Sequence, residues 1–228
     1  MIRMDDVWKA YPNGVMAVNG ISVHVEKGEF VYIVGPSGSG KSTFIKMMYH
    51  EVKPSRGKIL IDGLDLSKMK NRQVPILRRK VGVVFQDFKL LPKLTVYENV
   101  AFALEVIEEH PKQIRKKVME VLDLVKLKHK ARMLPHELSG GEQQRISIAR
   151  SIVNSPSLVV ADEPTGNLDP DNAWSIMEVF EQINARGTTI VMATHNKEIV
   201  NEKQQRVIAI EGGMIVRDDV RGEYGYEA

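Results

Sequence analysis

The run Gly35-Pro36-Ser37-Gly38-Ser39-Gly40-Lys41-Ser42 fits the pattern G-x-x-x-x-G-K-[ST] at every fixed position, with Thr43 immediately after it. The chemistry it supports is phosphate capture. Glycines let the backbone wrap closely, so that successive N–H groups and the start of a following helix point at a β-phosphate. Lys41 then reaches the β- and γ-phosphates, and the Ser42 hydroxyl is a ligand for Mg²⁺. Further along, the apolar run Leu158-Val159-Val160-Ala161 ends in Asp162 and Glu163. Asp162 is suited to the magnesium shell. Glu163 is suited to orient and polarise an attacking water, the positioning on which phosphoryl transfer depends. A third element, Ser139-Gly140-Gly141-Glu142, sets small residues before a helical run. Exposed N–H groups and the positive helix end make a second anion site there, one the chain's own phosphate loop does not need.

These groups require a scaffold that presents them together. Phe30 to Val34 is a continuous apolar run of strand length, and a helix begins at Lys41, so strand, loop and helix follow in the order a phosphate loop requires. Residues 1–34 read as short β-segments, alternating in ISVHVEKG and punctuated by Gly14, Gly20 and Gly28. From about 87 to 155 the pattern turns helical, over Val96 to Ile107, Pro111 to Leu127 and Glu142 to Val153, with Pro111 fitting a first turn. Strands return at LVVAD, TTIVMATH and RVIAI around a helix near Asp171 to Asn184. The expected organisation is one α/β domain: a core from residues 1–86 and 156–220, a helical insertion over 87–155, and a polar tail over 221–228.

A length of 228 residues, 43% hydrophobic and 27% charged, fits that single domain. The absence of cysteine removes disulfides and thiolate metal sites and permits a reducing compartment, with the cytoplasm as the expected one. The N-terminus lacks a basic-then-apolar signal pattern, and no apolar run approaches the ~20 residues of a membrane helix. A net charge of +3 is too small to argue for nucleic acid as a partner. Eight basic residues stand against two acidic ones between Lys112 and Arg132. That excess reads as a solvated helix face or as a surface facing an anionic membrane leaflet.

The string LSGGEQQR resembles the signature of the ATP-binding cassette (ABC) ATPases, and the other family elements stand in their expected order along nearly the whole chain. The resemblance implies a nucleotide-binding domain of ABC type: a RecA-like core with an antiparallel β subdomain and an inserted α-helical subdomain. It implies ATP and Mg²⁺ as ligands and ATP hydrolysis as the activity. Tyr11 matches the aromatic residue that stacks on adenine. Gln86 in VVFQD resembles the glutamine that joins Ser42 and Asp162 on Mg²⁺ and senses a partner protein. Asn167-Leu168-Asp169 resembles the loop that passes information between sites, and His195 the switch histidine at the γ-phosphate. In the family's head-to-tail homodimer each ATP lies between Lys41 of one copy and Ser139, Gly140, Gly141 and Glu142 of the other.

Longer strings, GVVFQDFKLL followed by ADEPTGNLDP with VYENVAFALEVI between them, resemble the cell-division branch of the family. This implies a peripheral ATPase on the cytoplasmic side of the membrane at the division site. Dimer closure would move an integral membrane protein and, through it, act indirectly on cell-wall hydrolases. The partner contact is expected over Asp87 to Glu98, where Phe88, Leu90, Leu91 and Leu94 are apolar. DEPTGNLD is shared with lipoprotein-releasing and macrolide-efflux relatives, so an ATPase subunit of those, or of a small-solute transporter, is the alternative. Chromosome and DNA-repair ATPases carry long heptad coils for which there is no room between Gln86 and Ser139. A scaffold that does not hydrolyse ATP is opposed by intact Lys41, Asp162, Glu163 and His195.

Overall fold

The structure, a computed structural model, describes residues 1–225, so residues 226–228 of the expected tail lie outside the described ones. Its centre is β3 (Phe30–Val34), in which all five residues are buried. Their side chains alternate between two cores. Phe30, Tyr32 and Val34 enter one, while Val31 and Ile33 enter the other. A strand covered on both faces has no use for polar alternation, which explains the unbroken apolar run.

Six strands form this sheet in the order β10 (Met214–Asp219), β9 (Arg206–Glu211), β3, β8 (Thr189–Ala193), β7 (Leu158–Asp162) and β6 (Val81–Val84). All neighbours are parallel except the β10 edge. A second, antiparallel sheet has the order β2 (Met16–Val25), β1 (Ile2–Ala10), β4 (Arg56–Ile61) and β5 (Leu64–Asp65). With α1 (Lys41–Met48) it covers one face of the large sheet, burying Phe44, Ile45, Met47 and Met48 against Val31, Val160 and Ile208. The other face is covered by α3 (Val96–Glu105), α4 (Pro111–Leu124), α5 (Gly140–Ile152), α6 (Pro170–Ala185) and α7 (Lys197–Lys203). The short α2 (Val74–Lys80) places Leu77 in the same core as Val31 and Ile33. Fully burying side chains such as Phe44 and Phe180 contributes about 1.5–3 kcal/mol each.

Local chemistry sets the helix starts. Thr95 Oγ1 accepts the Glu98 N–H at 3.2 Å while Glu98 accepts the Thr95 N–H at 2.7 Å, a capping box that begins α3. Pro111 occupies the first turn of α4. Asp169 caps α6 by accepting the Asn172 N–H at 3.0 Å. Arg206 fastens the sheet edge: it donates to the His24 carbonyl at 2.8 Å, pairs with Glu29 at 3.1 Å and holds both Asp218 oxygens at 2.8 Å.

Several boundaries differ from the sequence reading. α5 begins two residues earlier, because Ser139 rather than Gly141 is its cap. Chain reversals at Glu108 (φ 58°) and Lys126 (φ 61°) end α3 and α4 before Ile107 and Leu127. Strand β10 (Met214–Asp219) lies beyond RVIAI, the last strand marked by the sequence pattern; a polar edge strand lacks the apolar pattern that reveals an interior one. Of the eight basic residues between 112 and 132, five have carboxylate partners: Lys116, Lys117, Lys126, Lys128 and Lys130. Three of those carboxylates, on Glu109, Glu142 and Glu178, lie outside the stretch, so the fold neutralises much of the excess. No helix among the described residues is long and apolar enough to cross a membrane.

His50, just beyond α1, is 7% exposed with a left-handed backbone (φ 58°), and neither ring nitrogen has a partner among the described residues. Burial, then Lys53 and Arg78, pushes its pKa below the ordinary value. The folded protein therefore holds it neutral where the unfolded chain takes up a proton, near pH ~6.5. Its contribution is present above that pH and is lost as pH falls from there toward the lower folded pKa. Urea midpoints should thus drop more between pH about 7.5 and about 5.5 in the wild type than in His50→Asn, which does not titrate and tolerates positive φ. Parallel curves for the two proteins would refute the assignment.

Candidate functional site

The chain leaves β3 at Gly35 (φ 145°) and enters α1 after Gly40 (φ 107°). Neither position has room for a side chain. A Cβ on Gly35 would stand 2.0 Å from the Ile210 carbonyl oxygen, and one on Gly40 would stand 2.1 Å from that of Ala17. Both obstacles are backbone, in β9 and β2. The Gly213 N–H donates to the Ser39 carbonyl at 3.0 Å, and the Asn19 N–H to the Gly213 carbonyl at 2.8 Å. Ser37 and Gly38 are exposed at the tip, whereas Ser39 is buried. Lys41 Nζ donates to the Gly35 and Pro36 carbonyls, each at 2.9 Å. Burial lowers the pKa of this lysine, an effect that Glu163 and Asp162 oppose. Tyr11 is beside the loop, its hydroxyl 3.2 Å from Thr43 Oγ1 and its ring 5.1 Å from the Lys9 ammonium.

Parallel pairing brings the remaining groups to the same edge. Asp162 closes β7 in register with Ala193 of β8, so Glu163 and His195 follow side by side. The Ser42 hydroxyl reaches Asp162 at 3.4 Å. Burial raises the Asp162 pKa; the Ser42 hydrogen bond opposes this, Glu163 reinforces it, and Lys46 and Lys41 oppose it. Glu163 has φ 51°, is anchored through its N–H to the Ala193 carbonyl at 3.0 Å, accepts the His195 backbone N–H at 3.2 Å, and has a carboxylate oxygen 2.7 Å from His195 Nδ1. Gln86 and Asn167 bond reciprocally, Nε2 to Oδ1 at 3.2 Å and Nδ2 to the Gln86 carbonyl at 3.3 Å. The hydroxyl of Ser42, the carboxylate of Asp162 and the amide of Gln86 are hard oxygen donors with a single charge among them. That set fits a magnesium ion shared with phosphates rather than one caged by protein alone.

The Ser139 element, the expected second anion site, is built differently. Ser139 Oγ accepts the Glu142 N–H at 3.3 Å and the Ser139 N–H donates back to Glu142 at 3.0 Å, while Lys130 binds the other carboxylate oxygen at 2.6 Å. Burial alone would raise the Glu142 pKa, but Lys130 and Ser139 outweigh it and hold the carboxyl below its usual range. Glu142 therefore shapes the helix start and does not present a free charge. A Cβ on Gly141 would fall 2.2 Å from Asn172 Oδ1, so α6 requires glycine there. Gly140 is less crowded: a Cβ on it would meet Leu168 at 3.6 Å and Phe88 at 3.8 Å. Among the described residues no hydrogen bond or ion pair joins 139–142 to the phosphate loop. The structure thus gathers 35–43, Tyr11, Gln86, Asp162, Glu163 and His195, and leaves the Ser139 element apart.

Sequence reading passed over Gln144, which is fully buried and donates to the Phe85 carbonyl at 3.3 Å and the Pro164 carbonyl at 2.7 Å. It ties α5 to the residues just before Gln86 and just after Glu163. Its signal was positional: with Gly141, Ile148 and Ile152 it lies on the buried stripe of α5 at helical spacing. Asn99 and Arg150, which hold the loop after Gln86, were also missed.

A phosphate loop, a strand-end Asp-Glu pair, a histidine on Glu163 and a capped helix held away from them, all on this two-sheet fold, define an ABC ATPase. The ABC transporter family model matches residues 18–166. The cell division ATP-binding protein FtsE of Bacillus subtilis is 70% identical over 225 residues, covering 99% of both chains. FtsE of Mycobacterium tuberculosis is 50% identical over 228 residues, covering 100% of this chain and 99% of that one. The ATP-binding cassette MJ0796, solved as a dimer in a post-hydrolysis state bound to ADP and Pi, is 34% identical with a TM-score of 0.86, over 98% of this chain and 100% of that one. The chain belongs to the FtsE family of ABC ATPases.

Replacing Gln144 by leucine should strand the buried Pro164 carbonyl and the half-buried Phe85 carbonyl, at about 1–3 kcal/mol for the buried group. Urea unfolding of Gln144→Leu should show a loss of that order; an unchanged midpoint would mean the two bonds do not form.

Proposed function

We propose that this chain is the ATP-hydrolysing subunit of a cell-division complex with the integral membrane protein FtsX, in which ATP closes two copies head to tail. One observation carries the dimer: the chain has a phosphate loop with its carboxylates and, apart from them, a capped helix start at Ser139 with Gly140 uncovered. Two such chains complete each other's sites. That the cassette MJ0796 is a dimer bound to ADP and Pi supports the same arrangement.

In this reading Tyr11 stacks on adenine, the N–H groups of residues 35–43 and Lys41 hold the phosphates, and Ser139, Gly140 and Gly141 of the second copy cover the γ-phosphate. Glu142 keeps that helix start in shape. Ser42, Asp162 and Gln86 hold Mg²⁺, which neutralises phosphate charge. Glu163 orients the attacking water and His195 steadies both Glu163 and the γ-phosphate. The water oxygen bonds to phosphorus as the bond to the β–γ bridging oxygen breaks, so ATP bridges the dimer and its hydrolysis removes the bridge. Residues 87–155 act as the helical unit that carries the signature element between open and closed forms.

A groove of about 610 Å³ follows Gln86, lined by Phe85, Leu91, Phe102, Val106 and Ile107. Phe102 is 45% and Val106 64% exposed, so the groove offers apolar surface that this chain leaves uncovered. We assign it to FtsX. The ATPase would then be held peripherally on the cytoplasmic side at the division site, where closure pulls on FtsX and, beyond the membrane, cell-wall hydrolases respond. Full-length relatives named for cell division favour this reading over a lipoprotein, macrolide or solute transporter.

Lys41→Ala should lose ATP binding, and Glu163→Gln should bind ATP and elute as a dimer with Mg-ATP in the presence of FtsX; a monomer under those conditions would contradict the sandwich. Val106→Asp should abolish co-purification with FtsX, by placing a charge on the apolar wall, while mant-ATP affinity is retained. Undiminished co-purification would move the contact elsewhere.

A further inference from the structure

Phe85 and Leu91, in the loop from β6 to α3, line the groove, and between them the loop turns an unusual corner. Phe88 (φ 56°) and Lys89 (φ 51°) are consecutive non-glycine residues in the left-handed region. The Lys89 N–H bonds back to the Asp87 carbonyl, closing a three-residue turn on Phe88. Left-handed backbone costs an L-residue on the order of 1 kcal/mol or more and persists only where the surroundings enforce it. No glycine occurs between Gly82 and Gly140, so the loop has no cheap way to make this turn.

The enforcement comes from α5. Arg150 Nη1 donates to the Lys89 carbonyl at 2.6 Å and Nη2 to the Phe88 carbonyl at 2.9 Å. One planar fork thus grips the two strained peptides in a geometry that a lysine cannot reproduce. Arg150 has no ion pair among the described residues, and it lines the groove itself. Further on, buried Asn99 accepts the Leu91 N–H at 2.8 Å and donates to the Leu91 and Leu94 carbonyls at 3.1 and 2.9 Å, which fixes the loop beyond the corner. The Phe88 ring lies against Gly140, at the opposite end of α5.

We propose that Arg150 is a positioning residue: its fork holds the strained corner at Phe88 and Lys89, and so sets the loop whose Phe85 and Leu91 line the groove a membrane partner docks in, and ties that loop to the helix that begins at Ser139. The proposal rests on the groove being the FtsX site. Docking that alters the corner pulls on Arg150, and a shift of α5 during ATP-dependent closure reshapes the corner.

Two measurements on the full-length chain test it: amide exchange over residues 87–91 in the free protein, and affinity for FtsX in detergent-solubilised complexes. Arg150→Gln should speed exchange and weaken FtsX binding about tenfold or more, as loss of charge-assisted bonds implies. Arg150→Lys should show most of the same loss, and serves if the glutamine variant folds poorly. Adding Lys89→Gly to either should recover protection and most of the affinity, because glycine takes the left-handed conformation without strain. Unaltered exchange in Arg150→Gln overturns the positioning role, whatever FtsX does. Faster exchange with undiminished FtsX binding overturns the link to docking, and so does failure of Lys89→Gly to rescue, which would make Arg150 a direct contact. A wild-type chain that does not bind FtsX, or binds it undisturbed by Val106→Asp, removes the groove assignment and leaves the exchange result to judge the corner alone.

Discussion

The phosphate loop passes between two backbone carbonyls that leave no room for a Cβ, Ile210 at one end and Ala17 at the other. Much of the architecture follows from that passage. Ile210 belongs to β9, whose position depends on pairing with β3 and on Arg206, which grips Glu29, Asp218 and the His24 carbonyl together. Ala17 belongs to β2 of the antiparallel sheet. The N-terminal sheet and the C-terminal hairpin are therefore the two jaws of the nucleotide site. Closing either jaw by a fraction of an ångström, or adding one methyl group, would displace the N–H groups that meet phosphate. Carbonyls fixed in sheets have little freedom to yield, so glycine is the only residue either position accepts.

The chemistry collects at the same edge because parallel strands end together. Successive neighbours β3, β8, β7 and β6 deliver the phosphate loop, His195, the Asp162–Glu163 pair and Gln86. In an open α/β sheet the strand ends are where backbone groups are free and side chains from distant parts of the chain converge. Glu163 is held by β8 on both sides of its backbone turn: the Ala193 carbonyl takes its N–H, and His195 takes its carboxylate. A carboxylate fixed at two points needs little reorganisation to meet a water molecule.

Residues recognisable by type and spacing were legible from the sequence. Gly35 to Ser42, Asp162, Glu163 and the interior strands declare themselves because their physics is local: a run of N–H groups, a carboxylate after an apolar strand, a strand buried on both faces. What stayed hidden depends on contacts distant in sequence. β10 reads as polar because it is an edge; β4 itself contains Arg56 and Lys58, and β6 is preceded by Arg78, Arg79 and Lys80. Arg150 and Gln144 belong to a polar helical string in which surface residues look the same, and only burial against backbone carbonyls separates them. The basic stretch after Lys112 looked like a charged face because three of its neutralising carboxylates come from outside it.

Gln144 also constrains how α5 moves. Its two bonds run to the Phe85 and Pro164 carbonyls, both at the sheet edge, and fasten α5 to the catalytic core between its packed ends, where Gly141 meets Asn172 and Ser151 meets Gly82. A translation of α5 would break both bonds and strand the buried Pro164 carbonyl and the half-buried Phe85 carbonyl. A tilt about Gln144 would keep them, because groups close to a pivot move least. Ser139 is five residues before that pivot and Arg150 six after it, arms of about 7–9 Å at 1.5 Å per residue. In the proposed sandwich, such a tilt would carry the Ser139 helix start and the Arg150 fork on Phe88 and Lys89 in opposite directions. Under the proposed function, rotation about buried Gln144 would link partner docking to dimer closure with the Phe85 and Pro164 bonds kept.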